Sequence, residues 1–328
     1  MDSRNDIAPE GAHYEITHRT LYEYAAPVSV SHHVARLEPR VTTVQACPSF
    51  ILEIYPRPAR RRTRPDYFDN QLCFFNIQEV HRRLEVITRS RVSLYPASPS
   101  IPREASLRWE EVARLFRDPV SPEVVAPFEF VFDSPHVRAS QELAAYAAES
   151  FRPGTPLLVG AAELTRRIFK DFKYDPKATT VATPLEEVWK KRRGVCQDFA
   201  HLAIACARSL GLPARYVSGY LRTHVAPGRT RLVGADASHA WFAIFCPGIG
   251  WVDFDPTNNV QPSVEHITVA YGRDFGDVSP VAGILTGGGS HIVKVSVDVN
   301  PLGEDPVYNR PSLPSGPSPN QSQSQSQG

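Results

Sequence analysis

The sequence predicts an α+β protein, in which an N-terminal antiparallel β-sandwich domain precedes a domain of helices packed on an antiparallel sheet. The chain has 328 residues, a length that suits two domains better than one. Residues 13–96 contain short strand-like stretches and no long helical period, whereas residues 137–210 show helical periodicity. Strand-like stretches return after residue 213. Helices followed by an antiparallel sheet are typical of an α+β domain.

Residues 13–96 are predicted to form the sandwich. Their apolar stretches are rich in β-branched and aromatic residues and are separated by Pro, Asp and Asn, as is typical of antiparallel strands. The predicted strands are Tyr14–Tyr24, Ser49–Tyr55, Cys73–Ile77 and Leu84–Leu94. Residues 1–12 are predicted to be a flexible arm. The arginine-rich residues 57–64 are predicted to be a solvated basic loop, with an anionic-ligand site as the less favoured alternative.

Residues 97–155 are predicted to be a linker and helical connector, because prolines cluster at 96–102 and helical periodicity begins at Val137. Residues 156–302 are predicted to be the second domain. Its predicted helices and strands are Ala161–Phe172, Pro184–Trp189, Cys196–Leu210, Ala214–Arg222 and His291–Val299. The Pro/Ser/Gln-rich residues 303–328 are predicted to be disordered, since they cannot bury enough apolar surface to fold.

The composition narrows the classes of function. No apolar run approaches the roughly 20 residues of a membrane span, and the N-terminus lacks the apolar stretch of a signal peptide. The net charge of +1 gives no general attraction to nucleic acid or membranes. The five cysteines are scattered without a CxxC pair, which indicates reduced thiols. We therefore expect a cytoplasmic protein that binds neither nucleic acid nor a membrane, and we expect no cofactor.

Cys196 is the first residue that points to chemistry. It opens an apolar-periodic stretch that stops at Gly211-Leu212-Pro213, so the sequence predicts a buried helix with Cys196 in its first turn. Unpaired N–H groups and the positive end of the helix dipole stabilise a thiolate at that position. Cys206, inside the same helix, is predicted to be an inert core residue.

A partner for this thiolate is predicted further along the chain. Strand-like stretches flank the turn at Pro247–Gly250, and the resulting hairpin places His239 close to opposite Asp255. Asp255 can then orient the imidazole and leave its second nitrogen for the thiolate, which is the arrangement of cysteine acyl-transfer enzymes. Asp253, on the same strand face, is the alternative orienting residue, and capping of the following turn is the alternative role of Asp255.

A zinc site is the alternative chemistry for the predicted helix. Cys196, His201 and Cys206 are spaced by five residues, so they point in three directions around the helix axis. Zinc ligands must converge on one tetrahedral centre. We therefore predict no metal site and interpret His201 as a structural residue.

Several ordered motifs together carry a resemblance to a known family. The motifs are Gly194–His201, Gly211–Tyr220, Ala237–Trp241 and Gly250–Thr257, with Thr17–Tyr24, Arg36–Pro39 and Asp66–Asn70 before them and His266–Phe275 and Asp277–Gly283 after them. They resemble the bacterial transglutaminase-like proteins, a branch of the papain-like thiol superfamily. The resemblance extends from about residue 13 to residue 300. One departure is Asp69, because the family usually has Gly before the residue that corresponds to Asn70.

The resemblance implies an N-terminal β domain followed by a transglutaminase-like, papain-like core. It implies a nucleophile at Cys196, a histidine at His239 and an acid at Asp255. The implied activity is acyl transfer on an amide bond of a peptide or protein. We favour a cysteine peptidase or amidase, since the chain has no acidic calcium loop of the kind that animal cross-linking enzymes need. A protein-glutamine amine transferase and a non-catalytic peptide-binding module are the alternatives.

The residues around the reacting carbonyl are predicted from their positions. The backbone N–H of Cys196 is one oxyanion donor, since it lies at a helix start. Tyr174, Gln197 and Trp189 are the candidates for a second donor. Trp189 is interpreted as a packing residue, and Trp241 as a core aromatic that lines the acyl pocket.

Overall fold

The computed structural model describes residues 11–96, 102–223 and 237–303. Most of the predicted arm and of the predicted disordered tail lies outside these ranges. Ala12 already belongs to the first strand, so the predicted arm ends earlier than residue 12. None of the helices in the described ranges is both long enough and apolar enough to span a bilayer.

The strands and helices follow each other as the α+β prediction requires. In chain order the strands are β1 (Ala12–Ala35), β2 (Gln45–Tyr55), β3 (Arg60–Pro65), β4 (Gln71–Ile77), β5 (His81–Leu94), β6 (Lys173–Tyr174), β7 (Arg193–Gly194), β8 (Ala214–Leu221), β9 (Ala237–Cys246), β10 (Gly250–Phe254), β11 (His266–Gly272), β12 (Val281–Gly287) and β13 (His291–Pro301). The α-helices are α1 (Trp109–Leu115), α2 (Pro122–Val125), α3 (Gln141–Ala148), α4 (Leu157–Asp171), α5 (Leu185–Lys191), α6 (Cys196–Ser209) and α7 (Phe275–Val278). The predicted fold class is confirmed.

The long strand β1 organises the first sheet. Its first half pairs with β5 on one side and β13 on the other, and its second half pairs with β4 and β12. A register shift between Glu23 and Val28 separates the two halves. Strand β2 extends the sheet beyond β5, and β3 extends it beyond β4. These seven strands form one antiparallel sheet in which β1 is shared, so the region predicted to be a sandwich is a single sheet. Buried side chains of β2, β4 and β5 form a common core in it.

The arginine-rich residues 57–64 were expected to form a loop, and this expectation is wrong for residues 60–64. They belong to the edge strand β3, whose six residues, Arg60–Pro65, are all exposed to solvent. Because an exposed edge strand does not alternate between buried and exposed positions, it lacks the periodic signal by which a strand is recognised in sequence.

The last two strands return to the first sheet. His291–Val299 forms a strand, as predicted, but β13 pairs with β1 and not with the strands of the second domain. Its residues Val297 and Val299 are buried in the same core as Phe242 and Ile267 of the second sheet. The predicted second domain, 156–302, therefore includes strands whose hydrogen bonds belong to the first sheet.

The second sheet is antiparallel, with strand order β10-β9-β8-β11. Helix α6 packs on β8 and β9, and α3, α4 and α5 pack on α6. The helix is surrounded by protein, since every residue from Asp198 to Arg208 is buried. This burial fixes the position of the first turn of α6 above the sheet.

Two side-chain amides of the first sheet pair with the outer strand of the second. Gln45 donates to the carbonyl of Thr268 at 2.7 Å and accepts from its N–H at 2.8 Å. Asn70 donates to the carbonyl of Tyr271 and accepts from its N–H, both at 2.8 Å. These backbone groups belong to β11, on the outer edge of the second sheet. The two amides therefore make the hydrogen bonds that a further strand would otherwise make.

The turn before Asn70 forms in spite of the departure at Asp69. Asp69 has a φ of 61°, in the left-handed region that favours glycine. The side chain of Asp66 accepts from the N–H groups of Phe68, at 2.9 Å, and Asn70, at 2.8 Å. These hydrogen bonds hold the turn in a conformation that an L-residue at position 69 adopts at a cost in free energy.

Asp69→Gly is therefore expected to raise the free energy of unfolding by about 0.5–1 kcal/mol, because glycine removes the Cβ strain at positive φ. Chemical denaturation monitored by tryptophan fluorescence measures the change. Asp69→Ala is the matched control, since it removes the same exposed carboxylate, 3.8 Å from Arg40, and keeps a Cβ. Equal midpoints for the Gly and Ala variants would contradict the strain at this position.

Candidate active site

Cys196 is the first residue of α6 and is half-buried. Asp198, two residues later, fixes the start of the helix. Its Oδ2 accepts from the N–H of Val195 at 2.8 Å and from the hydroxyl of Thr179 at 2.6 Å. A carboxylate in the first turn also interacts favourably with the helix dipole. The predicted helix, with Cys196 in its first turn, is therefore present.

Gly194 is required for this helix start. A Cβ at position 194 would lie 2.6 Å from Oδ2 of Asp198 and 2.9 Å from its Cβ. Any larger residue would push Asp198 away from the backbone N–H that it accepts from. Because Gly194 has no Cβ, the backbone before Cys196 can approach the Asp198 carboxylate closely. This close approach fixes the position of Cys196.

His239 lies on β9 and joins Cys196 to Asp255. Its Nε2 is 2.8 Å from Oδ2 of Asp255, and Cys196 is close enough to the ring to raise its pKa. Since Nε2 faces Asp255, Nδ1 is the nitrogen left for the sulfur. Burial favours the neutral ring, but the hydrogen bond to Asp255 and the interaction with Cys196 outweigh it and raise the pKa of His239 to about 10. The three predicted residues therefore meet in one place.

Asp255 reaches His239 by a route that differs from the predicted one. In the β9–β10 hairpin Phe254 pairs with Phe242, so Asp255 lies past the end of β10 and not opposite His239. It forms an isolated bridge with Val260. The carboxylate reaches His239 diagonally from the turn, which shifts the contact by two residues from the predicted register.

Asp253, the alternative orienting residue, has another partner. Its Oδ2 accepts from the indole N–H of Trp241 at 3.1 Å. Burial raises the pKa of Asp253, and the charge of Arg215 opposes this shift. The structure thus places Asp253 beside Trp241 and leaves the contact with His239 to Asp255.

The two oxygens of Asp255 have separate partners. Oδ1 accepts from the N–H groups of Thr257, at 2.9 Å, and Asn258, at 3.3 Å, so Asp255 does cap the turn. Oδ2 accepts from His239, from His266 at 3.1 Å and from the amide of Asn258 at 2.7 Å. Burial opposes ionisation, but the hydrogen bonds from His239 and His266 outweigh it and hold the pKa of Asp255 well below its usual range. Both roles considered for Asp255 therefore coexist.

Trp241 does not fit the predicted pocket role. It has 0% exposure, and its indole N–H is engaged by Asp253. It lies two residues after His239 on β9, and the centroids of the two rings are 6.0 Å apart. Gly219, the β8 partner of His239, makes room for it, because a Cβ there would lie 2.5 Å from the Trp241 ring. Trp241 is thus a buried support for the histidine.

The candidate oxyanion residues Tyr174 and Gln197 lie on different elements, β6 and α6. Tyr174 lies on β6 and pairs with Gly194, and its side chain is 53% exposed. Burial and the charge of Cys196 raise the pKa of Tyr174, which indicates that the phenol is near the sulfur. Gln197 follows Cys196 in the first turn of α6, where backbone N–H groups have no partner within the helix.

His201 and Cys206 do not face a common centre with Cys196. His201 accepts from the N–H of Phe275 at 3.1 Å through Nε2, and burial lowers its pKa to about 3. Cys206 has 0% exposure, and burial raises the pKa of its thiol to about 12. Their surroundings are those of core residues.

A different set of side chains has the spacing of metal ligands. Within the part of the chain that the structure describes, this set is His239, Asp255 and His266, whose donor atoms all lie within 4.8 Å of one another. Their donor atoms already hydrogen-bond to each other at 2.8 and 3.1 Å. A metal ion would have to replace these bonds, so we assign the cluster as a hydrogen-bonded one.

His266 and Asn258 are site residues that the sequence analysis missed. Asn258 directly follows the Asp255-Pro256-Thr257 motif, so its proximity to Asp255 could have been predicted from the sequence. His266 lies on β11, which is separated from β9 by β8. Only the folding of the sheet brings its ring to Asp255.

A helix that begins at a cysteine and packs on an antiparallel sheet bearing a histidine defines the papain-like thiol fold. Sequence comparison is consistent with this class. Residues 144–256 match the transglutaminase-like superfamily, and residues 14–93 match the bacterial transglutaminase-like N-terminal region. The chain belongs to the transglutaminase-like superfamily and carries this bacterial N-terminal region.

The chain is similar to bacterial proteins, two of which match it over nearly its whole length. An uncharacterised protein of Mycobacterium tuberculosis is 38% identical over 314 residues, which cover 94% of this chain and 99% of that protein. A protein-glutamine gamma-glutamyltransferase of Pseudomonas aeruginosa is 31% identical over 107 residues, which cover 30% of this chain and 16% of that protein. The crystal structure of a proposed cysteine protease from Cytophaga hutchinsonii matches with a TM-score of 0.70 and 19% identity, covering 92% of this chain and 95% of that one. This structural likeness supports the fold.

His239→Gln is expected to destabilise the protein by an amount that shrinks as the pH rises. The pKa of His239 is raised from 6.5 to about 10 in the fold, so its protonation contributes stability that is fully present below about pH 6.5 and is lost as the pH rises through about 10. Urea unfolding of both proteins at about pH 6 and about pH 10 measures the effect, which should be on the order of a few kcal/mol. A difference that is equal at both pH values would contradict the raised pKa.

Proposed function

We propose that this protein is a thiol-dependent acyl-transfer enzyme that cleaves an amide bond through a thioester on Cys196. The observation that supports it is the hydrogen bond between His239 and the buried Asp255 carboxylate, with Cys196 at a helix start and close enough to the ring to raise its pKa. A cysteine beside a histidine that a third group orients is the arrangement of an activated nucleophile.

In the proposed reaction the Cys196 thiolate attacks the carbonyl carbon of a peptide or protein amide. The C–N bond breaks as the His239 imidazolium passes its proton to the departing amine, and a thioester remains on Cys196. The neutral His239 then takes one proton from water, whose oxygen attacks the thioester. The product is a carboxylic acid, which releases its remaining proton to solvent. The sulfur leaves as a thiolate and the imidazolium is restored. Asp255 stays ionised throughout and stabilises the charged ring.

The oxygen of the tetrahedral intermediate needs hydrogen-bond donors. The backbone N–H of Cys196 is the first, because it occupies the first position of α6 and has no partner within the helix. The Tyr174 hydroxyl is our candidate for the second donor, since Tyr174 is exposed beside Gly194 and close to the sulfur.

Hydrolysis is the favoured outcome of the thioester, and amine transfer is the second candidate. The name of the Pseudomonas aeruginosa relative favours transfer, over the 107 residues that the two chains share. Both reactions proceed through the same acyl-enzyme, so the residues of the site do not distinguish them. A cytoplasmic location stays a prediction from the sequence. It was based on reduced thiols, and all five cysteines are free in the fold.

At neutral pH Cys196 is expected to react with iodoacetamide at least about tenfold faster than Cys47. Cys47 is the matched internal control, because it is also half-buried, while burial and the charge of Glu38 raise its pKa to about 11. His239→Gln should slow Cys196 and leave Cys47 unchanged. Mass spectrometry of the digested protein over time measures both rates, and equal rates for the two cysteines would refute an activated thiol.

On a glutamine-containing peptide, the purified protein is expected to release more hydrolysed product than amine-linked product when a primary amine is added. Cys196→Ser serves as the inactive control. Mass spectra of the products with and without the amine separate the two outcomes. Incorporation of the amine in excess of hydrolysis would assign the protein to the transferases.

A further inference from the structure

Oδ2 of Asp255 accepts hydrogen bonds from three separate segments of the chain. The donors are His239 of β9 at 2.8 Å, the amide of Asn258 in the following turn at 2.7 Å, and His266 of β11 at 3.1 Å. The first is part of the proposed reaction, and the second is exposed to solvent. His266 is therefore the buried donor whose role the proposed reaction does not explain.

The surroundings of His266 show which of its two ring nitrogens donates a hydrogen bond. The side chain is 5% exposed, and its Nδ1 has no hydrogen-bond partner among the residues that the structure describes. Its Nε2 faces the Asp255 carboxylate, which only accepts hydrogen bonds. The Nε2–H of His266 therefore donates to the carboxylate. His266 thus serves Asp255 as a fixed donor.

Packing holds the His266 ring in this orientation. The ring meets Trp241 edge-to-face, with centroids 5.3 Å apart, and lies 6.0 Å from the ring of His239. Trp241 occupies the space above Gly219 and is itself anchored by Asp253. The ring therefore has little freedom to turn away from Asp255.

We propose that His266 is a positioning residue, which holds the Asp255 carboxylate and through it the ring of His239 in line with Cys196. It does not touch the reacting atoms. This inference rests on the proposed function for its kinetic consequence, while the effect on the His239–Asp255 contact can be measured without any reaction.

The test compares His266→Leu, which fills the space without a donor, with His266→Gln, which places an amide N–H where Nε2 lies. The Leu variant is expected to lower kcat, and the rate of Cys196 alkylation, by about tenfold or more with KM changed by less than about twofold, because a hydrogen bond to a charged group is lost. The Gln variant should recover most of this loss. In proton NMR the low-field signal of the His239 Nε2–H should shift in the Leu variant and persist in the Gln variant.

His18→Leu is the matched control. His18 is also a buried histidine with one bonded nitrogen, 2.8 Å from the Thr20 hydroxyl, and an Nδ1 without a partner in the described part of the chain. It should lower stability without changing kcat or alkylation. If His266→Leu does not fold, His266→Asn replaces it, since its amide is one methylene short of Asp255.

Two results would overturn the proposal: full activity with an unchanged NMR signal in His266→Leu, or an equal loss of activity in the Leu, Gln and His18 variants. If Cys196 of the wild-type protein alkylates no faster than Cys47, the proposed function fails and the NMR comparison decides on His266 alone. An unchanged signal in the Leu variant then contradicts the role of His266, and a shifted one supports it.

Discussion

The buried carboxylate of Asp255 is the group on which the rest of the site depends. A carboxylate with 0% exposure is stable as an anion only when hydrogen bonds replace the water that it has lost. Here one oxygen is satisfied by backbone N–H groups of its own turn and the other by side chains from three segments. The same bonds shape the turn after β10 and orient His239. The Asp255 carboxylate therefore both shapes the fold at this turn and orients His239 for the proposed reaction.

Sequence analysis located the features whose signals are local. Helix α6 was predicted from the apolar periodicity that begins at Cys196 and from the Gly and Pro residues that end it, and the hairpin from the turn at 247–250. The contact between His239 and Asp255 was expected from cross-strand pairing, yet it arises because Asp255 lies past the end of β10. The structure brings His239 and Asp255 into contact, in a register that differs from the expected one by two residues.

Features that depend on distant parts of the chain could not be predicted in this way. His266 contacts Asp255 only because β11 and β9 flank β8, an order that no local pattern encodes. Strand β3 lacks apolar alternation, and Trp241, expected to be a core aromatic, packs against Gly219 of the neighbouring strand and not in a pocket. The amides of Gln45 and Asn70 likewise meet β11 only in the folded protein. The N-terminal sheet therefore supports the strand that carries His266.

The pairing of β1 with β13 constrains when the protein can fold. Tyr14 pairs with Pro301, so a central strand of the N-terminal sheet obtains one of its neighbours from the far end of the chain. During synthesis on the ribosome β1 emerges early and must wait for β13, with one edge unpaired, until nearly all described residues have been translated. Closing so large a loop is slow compared with local pairing. The first sheet is thus completed only after β13 has been translated, although β1 is translated before it.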